Sequence, residues 1–164
     1  MHIALLAFAI ALQAHNQSDK PLLVLTGADS HISQPTVLRA DSADQWQQIW
    51  IKHLGVTPQT IHRPAMEIDF GKCTLLAIFK GATANRTGVR VVSIDELPDA
   101  LQIRLEDISY QTLSSGKDGG IEHVTPFAFV LIPRTSKLLV IEENVQGYKD
   151  RSAEWKQIAK LKAS

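Results

Sequence analysis

The chain has 164 residues, with 17 Lys and Arg against 17 Asp and Glu, so its formal charge is zero while the histidines are neutral. That balance argues against a nucleic-acid or anionic-membrane surface, which needs a basic excess, and the length suits one domain that buries about 68–70% of its unfolded surface. Cys73 stands alone, which rules out an intrachain disulfide; in the apolar run Cys73 to Phe79 it reads as a small buried apolar residue.

Residues 1–14 read as a secretory signal peptide. Ile3 to Leu12 is an unbroken apolar run of ten residues, half of the about 20 needed to span a bilayer as a helix. Ala14 supplies a small cleavage residue, and the polar stretch His15 to Lys20 follows abruptly. No Lys or Arg precedes the run, only the amino terminus and His2, so a buried N-terminal strand or helix is the competing reading. The Leu-x-x-Cys step that directs lipid attachment is absent, and no later apolar stretch is long enough to span. The expectation is a secreted or periplasmic product with no membrane span in its mature form.

Leu22 to Leu25 predicts a first short strand and Thr36 to Arg39 a second. Ser42 with Gln45 three residues on forms a capping box, and Trp46, Ile49, Trp50, His53 and Leu54 recur on one helical face. An amphipathic helix is therefore expected over 43–54, stopped by Gly55. Residues 55–67, with Pro58 and Pro64, read as a surface loop. Cys73 to Lys80 is apolar on both faces, as in a central strand. Gly88 to Leu97 and the alternating Leu101, Ile103, Leu105 follow as strands joined at Pro98-Asp99. Phe127 to Ile132 and Lys137 to Glu142 are two more, separated by Pro133 to Ser136. Such short spacings favour antiparallel hairpins, because parallel crossovers take a dozen or more residues. Ser152 as N-cap, with Trp155, Ile158, Ala159 and Leu161 behind it, predicts a C-terminal helix ending in Lys156, Lys160 and Lys162. The expected fold is α+β: an antiparallel β-sheet, flat or curled into a sandwich, between an N-terminal amphipathic helix and a C-terminal helix. The domain proper spans 21–142, with 143–164 as linker and C-terminal helix.

No residue pattern declares a reaction. No two histidines stand four apart on a helix, and one cysteine cannot make a structural zinc site, so no metal or cofactor is implied. Glu122 and His123 are adjacent, but neighbouring strand residues face opposite ways, which weakens them as a catalytic pair. Ser114-Ser115-Gly116 lacks the strand–turn–helix setting of a nucleophilic serine. The run Ser114 to Gly120 lacks the order of a phosphate-binding loop, and no catalytic residue is assigned. Asn85 and Arg86, in the Gly81 to Gly88 connection, and Lys117, in the 116–120 loop, are the candidates for partner contact. Trp46 and Trp50 offer an alternative: one helical turn apart, they either pack the helix on its sheet or stack on a ligand.

Several segments together resemble one family. Trp46-x3-Trp50 precedes a proline-bearing loop and Ile68-Asp69-Phe70, which enters the strand Thr74 to Phe79. Gly81 and Thr87-Gly88 lead into Val89 to Ile94, and Pro126-Phe127-Ala128-Phe129-Val130-Leu131-Ile132-Pro133 follows before a last strand. From Trp46 to Glu142 this order is similar to the PrcB family, named for a non-proteolytic subunit of a surface subtilisin-like protease complex. Where the family tends to carry Gly-Gly-Tyr, this chain has Thr87-Gly88-Val89. The resemblance implies an extracytoplasmic domain, with no established catalytic residues, that supports or stabilises a protein partner such as a surface protease. The alternative function is a small-molecule or cell-wall-glycan binding domain built on Trp46 and Trp50.

Overall fold

A computed structural model describes residues 20–60, 62–110, 120–146 and 151–163; the expected signal peptide 1–14 and Lys117 lie outside them. In chain order the elements are β1 (Leu23–Gly27), β2 (Thr36–Ala40), α1 (Ala43–Leu54), β3 (Cys73–Phe79), β4 (Thr83–Ala84), β5 (Arg86–Glu96), β6 (Ala100–Ser109), β7 (His123–Val124), β8 (Phe127–Pro133), β9 (Leu138–Asn144) and β10 (Trp155–Leu161).

The two apolar-on-both-faces segments, β3 and β8, lie side by side at the centre of an antiparallel sheet in the order β1-β8-β3-β2. Their alternate residues feed two separate cores. Leu76, Ile78, Ala128, Val130 and Ile132 face a second sheet, β10-β9-β6-β5, and meet Val89, Ile103, Leu105, Leu139 and Ile141. Leu75, Ala77, Phe79, Phe127 and Phe129 face the other way, where α1 covers them with Trp46 and Ile49. The three layers are helix, sheet and sheet, which is why only the middle layer lacks a wet face. A small ribbon pairs β4 with β7.

Local chemistry explains α1. Ser42 Oγ accepts the Gln45 N–H at 3.3 Å, and Gly55 closes the helix at φ 63°, donating to Ile51 and Lys52 carbonyls. The Gln45 amide oxygen reaches back one residue beyond the cap, to the Asp41 N–H at 2.7 Å.

The structure corrects two expectations. Residues 155–161 form strand β10 on the edge of the second sheet, and no helix occurs there. A bulge between Gln157 and Ala159 inserts Ile158 and switches the alternation, so that Ala159 and Leu161 face the core opposite Ile141 and Leu139. Trp155 lies on the outer face, where the Arg104 guanidinium sits 5.1 Å from its ring centre. The apolar spacing 155, 158, 159 that imitates a helix is the signature of that inserted residue. The other correction concerns β8 and β9. They are not a hairpin: β8 already has β3 and β1 on its two sides, so β9 passes to the second sheet. There it runs parallel to β6, making that sheet mixed. The crossover between β6 and β9 contains β7 and β8, long enough for a parallel connection.

Candidate functional site

At one end of the sandwich the core alternation continues but its chemistry changes. On β3, Leu76 and Ile78 point between the sheets, and two residues on comes Lys80. On β6, Ile103 and Leu105 are followed by Asp107; on β9, Leu139 and Ile141 by Glu143. These side chains meet. Lys80 Nζ stands 3.2 Å from Asp107 Oδ1 and forms a second ion pair with Glu143. Arg86, entering from β5, brings its Nε to 3.1 Å from Asp107 Oδ2. Their side chains are only 12% (Lys80), 16% (Asp107), 19% (Glu143) and 34% (Arg86) exposed. Withdrawing four charges from water to that degree is expensive, and apolar residues of similar volume would serve stability as well or better. Asp107 Oδ1 is buried and receives no hydrogen bond, despite its ion pair.

Two concavities adjoin this cluster and share Arg86 and Glu143. A groove of about 810 Å³ runs past Arg90, Glu106, Asp107 and Asn144. Glu106 accepts from Arg90 Nε at 3.1 Å and from Asn144 Nδ2 at 2.9 Å, and these bonds hold its carboxyl below the usual carboxylate range. The second, a cleft of about 390 Å³, opens between the edge strands β2 and β10. Its walls include Val37, Ile78, Ile158 and Ala159, and Lys80 lies with Arg86 and Glu143 at its polar end.

Of the residues singled out from sequence, Arg86 belongs to this site. Asn85 is a turn residue with φ 53°. Its N–H donates to the Glu122 carbonyl at 3.0 Å, its Oδ1 accepts the Glu122 N–H at 2.9 Å, and its carbonyl accepts the Tyr110 N–H. Trp46 is 3% exposed and packs edge-on against Phe129, its indole N–H donating to the Met66 carbonyl. Trp50, half-buried, donates to the Arg63 carbonyl at 2.9 Å. The pair thus fastens the 56–72 connection to the helix. His53 is buried with its Nδ1 3.1 Å from Ser30 Oγ, and His123 is exposed. Glu122 accepts the Tyr110 hydroxyl, which raises the Tyr110 pKa.

Sequence reasoning missed Lys80, Asp107 and Glu143. The signal was present: each is an ionisable residue at the next inward position after two core aliphatics. Among the described residues, no group of three or more His, Cys, Asp or Glu is placed to hold a metal ion, and no helix is long and apolar enough to cross a membrane. Comparison with known families, curated proteins and solved structures finds no match.

Proposed function

We propose that this is an exported, PrcB-like accessory domain that binds an extracytoplasmic protein partner, such as a surface protease, and catalyses nothing itself. The observation that carries the reading is the position of Arg86. It stands where the groove and the cleft meet, one-third exposed, its charge held in place by Asp107. Arg so placed presents several N–H donors at little further entropic cost, which suits a protein contact. The mixed charge of the surrounding rim favours a partner of complementary pattern over a polyanion.

Affinity capture from culture fluid or envelope, after cross-linking, tests this. The unmodified domain should recover one protein in stoichiometric amount, and the double variant Arg86→Ala, Lys117→Ala should recover it at least about tenfold less well. Equal recovery by the double variant, with its fold confirmed by circular dichroism, removes Arg86 and Lys117 as the contact. Recovery of the domain alone, with cross-linking verified on a control complex, removes the accessory role.

A further inference from the structure

We propose that the cleft between β2 and β10 binds a free α-amino acid with an apolar side chain. This goes beyond the protein-partner reading and stands without it. The argument begins with the sign of the charges. A simple anion entering the cleft would meet Lys80 and Arg86 but also Glu143, with Asp107 close behind; a simple cation would meet the same four groups with the preferences reversed. Each would gain two attractions and suffer two repulsions. A species carrying both signs on neighbouring atoms is the one for which all the cluster's charges act favourably.

The donors allow it. The Lys80 ammonium has three N–H groups for its two carboxylate partners, and the Arg86 guanidinium has five, with Nε placed at Asp107. Both can therefore take a ligand carboxylate without giving up Asp107. Glu143, the carboxylate that lines the cleft itself, is placed to take the ligand ammonium.

The rest of the cleft sets the side chain. Val37 and Ile78 pair across β2 and β3 on the core side of the first sheet, and Ala159 faces them from β10. Ile158, the residue inserted by the bulge, forms the fourth part of the wall and is 37% exposed. Small-ligand sites have this form: apolar walls, a few convergent polar groups at one end and a volume of at least about 300 Å³. Ile78 is fully buried behind that wall, while Val37, Ala159 and Ile158 keep part of their surface in water; covering that part rewards a branched aliphatic side chain over none.

Isothermal titration of the full chain at neutral pH tests the proposal with four probes: leucine, glycine, 4-methylpentanoate and 3-methylbutylamine. Leucine should bind at least about tenfold tighter than the acid, which leaves Glu143 unanswered, or the amine, which leaves Lys80 and Arg86 so, and tighter than glycine. Ile158→Ser alters an exposed residue and should weaken leucine by roughly threefold or more while leaving glycine unchanged. Absence of binding by leucine overturns the proposal, as does equal affinity for the acid or the amine. Unchanged leucine affinity in Ile158→Ser removes the ligand from this cleft. None of these outcomes depends on whether a protein partner is captured.

Discussion

Among the ion pairs of the described residues, Arg39 carries the most deeply buried charge. Its side chain is 3% exposed, Nε lies 2.7 Å from Asp41 Oδ2, Nη1 donates to the Lys137 carbonyl at 2.9 Å and Nη2 to that of Thr135. The guanidinium thus ties the end of β2 to the turn that carries the chain from β8 to β9. Arg39→Ala takes the guanidinium from Asp41, which keeps its hydrogen bond from Thr74, and from the Lys137 and Thr135 carbonyls, and should cost roughly 3–5 kcal/mol in urea denaturation; a loss below about 1 kcal/mol would mean that water replaces the guanidinium. His53 acts through pH. Burial lowers its pKa from 6.5, opposed by Asp29 and assisted by His31. The unfolded chain therefore binds the proton more readily than the folded one. The stability contribution is complete above about pH 6.5 and is lost as pH falls toward the lower folded value. The melting temperature should fall between pH 7.5 and 5.5, and His53→Gln should flatten that slope; an unchanged slope would assign it to other groups.

Elements were legible where local chemistry and packing agreed. The span of α1 could be read from its cap, its aromatic face and Gly55, and the middle strands from their two-sided apolar runs. β10 could not, because one inserted residue turns an alternating pattern into a helical one, and only the partner strand β9 fixes the phase. The parallel β6–β9 pairing was equally hidden, since it depends on β8 having both sides occupied. The ion cluster lay in view but needed the strand phases of three elements at once. Gly88 shows a similar dependence on a distant neighbour. At φ 154° it lets β5 close on β1, where Thr26 Oγ1 accepts the Val89 N–H at 2.9 Å and donates to the Phe127 carbonyl at 2.8 Å. A Cβ there would stand 2.1 Å from Thr26 Oγ1. Gly88→Ala should lose about 1–3 kcal/mol from the backbone conformation alone, with more for the displaced threonine; an unchanged urea midpoint would show that the β1–β5 junction yields freely.

For the whole molecule, the two sheets depend on each other through their shared core, and the last strand is part of it. Ala159 and Leu161 pack on the same cluster as Leu139 and Ile141. A chain stopped after Gln146 would leave the β9 edge unpaired and part of that core wet. Unpaired edges recruit other chains, so the truncated protein should elute as aggregate in size-exclusion chromatography where the full chain elutes as a discrete species. A monodisperse, folded truncation would show that β10 is dispensable.

The place of β1 beside β8 has a further consequence, in time. The hydrogen bond from Thr26 to Phe127 joins residues 101 positions apart, so β1 waits for β8. At ribosomal speeds of about 5–20 residues per second, that wait lasts from roughly five to twenty seconds. During it β3, apolar on both sides, has β2 and α1 beside it but no β8. A nascent chain in that condition is open to chaperones, and it cannot lock into its final form before β8 has left the ribosome.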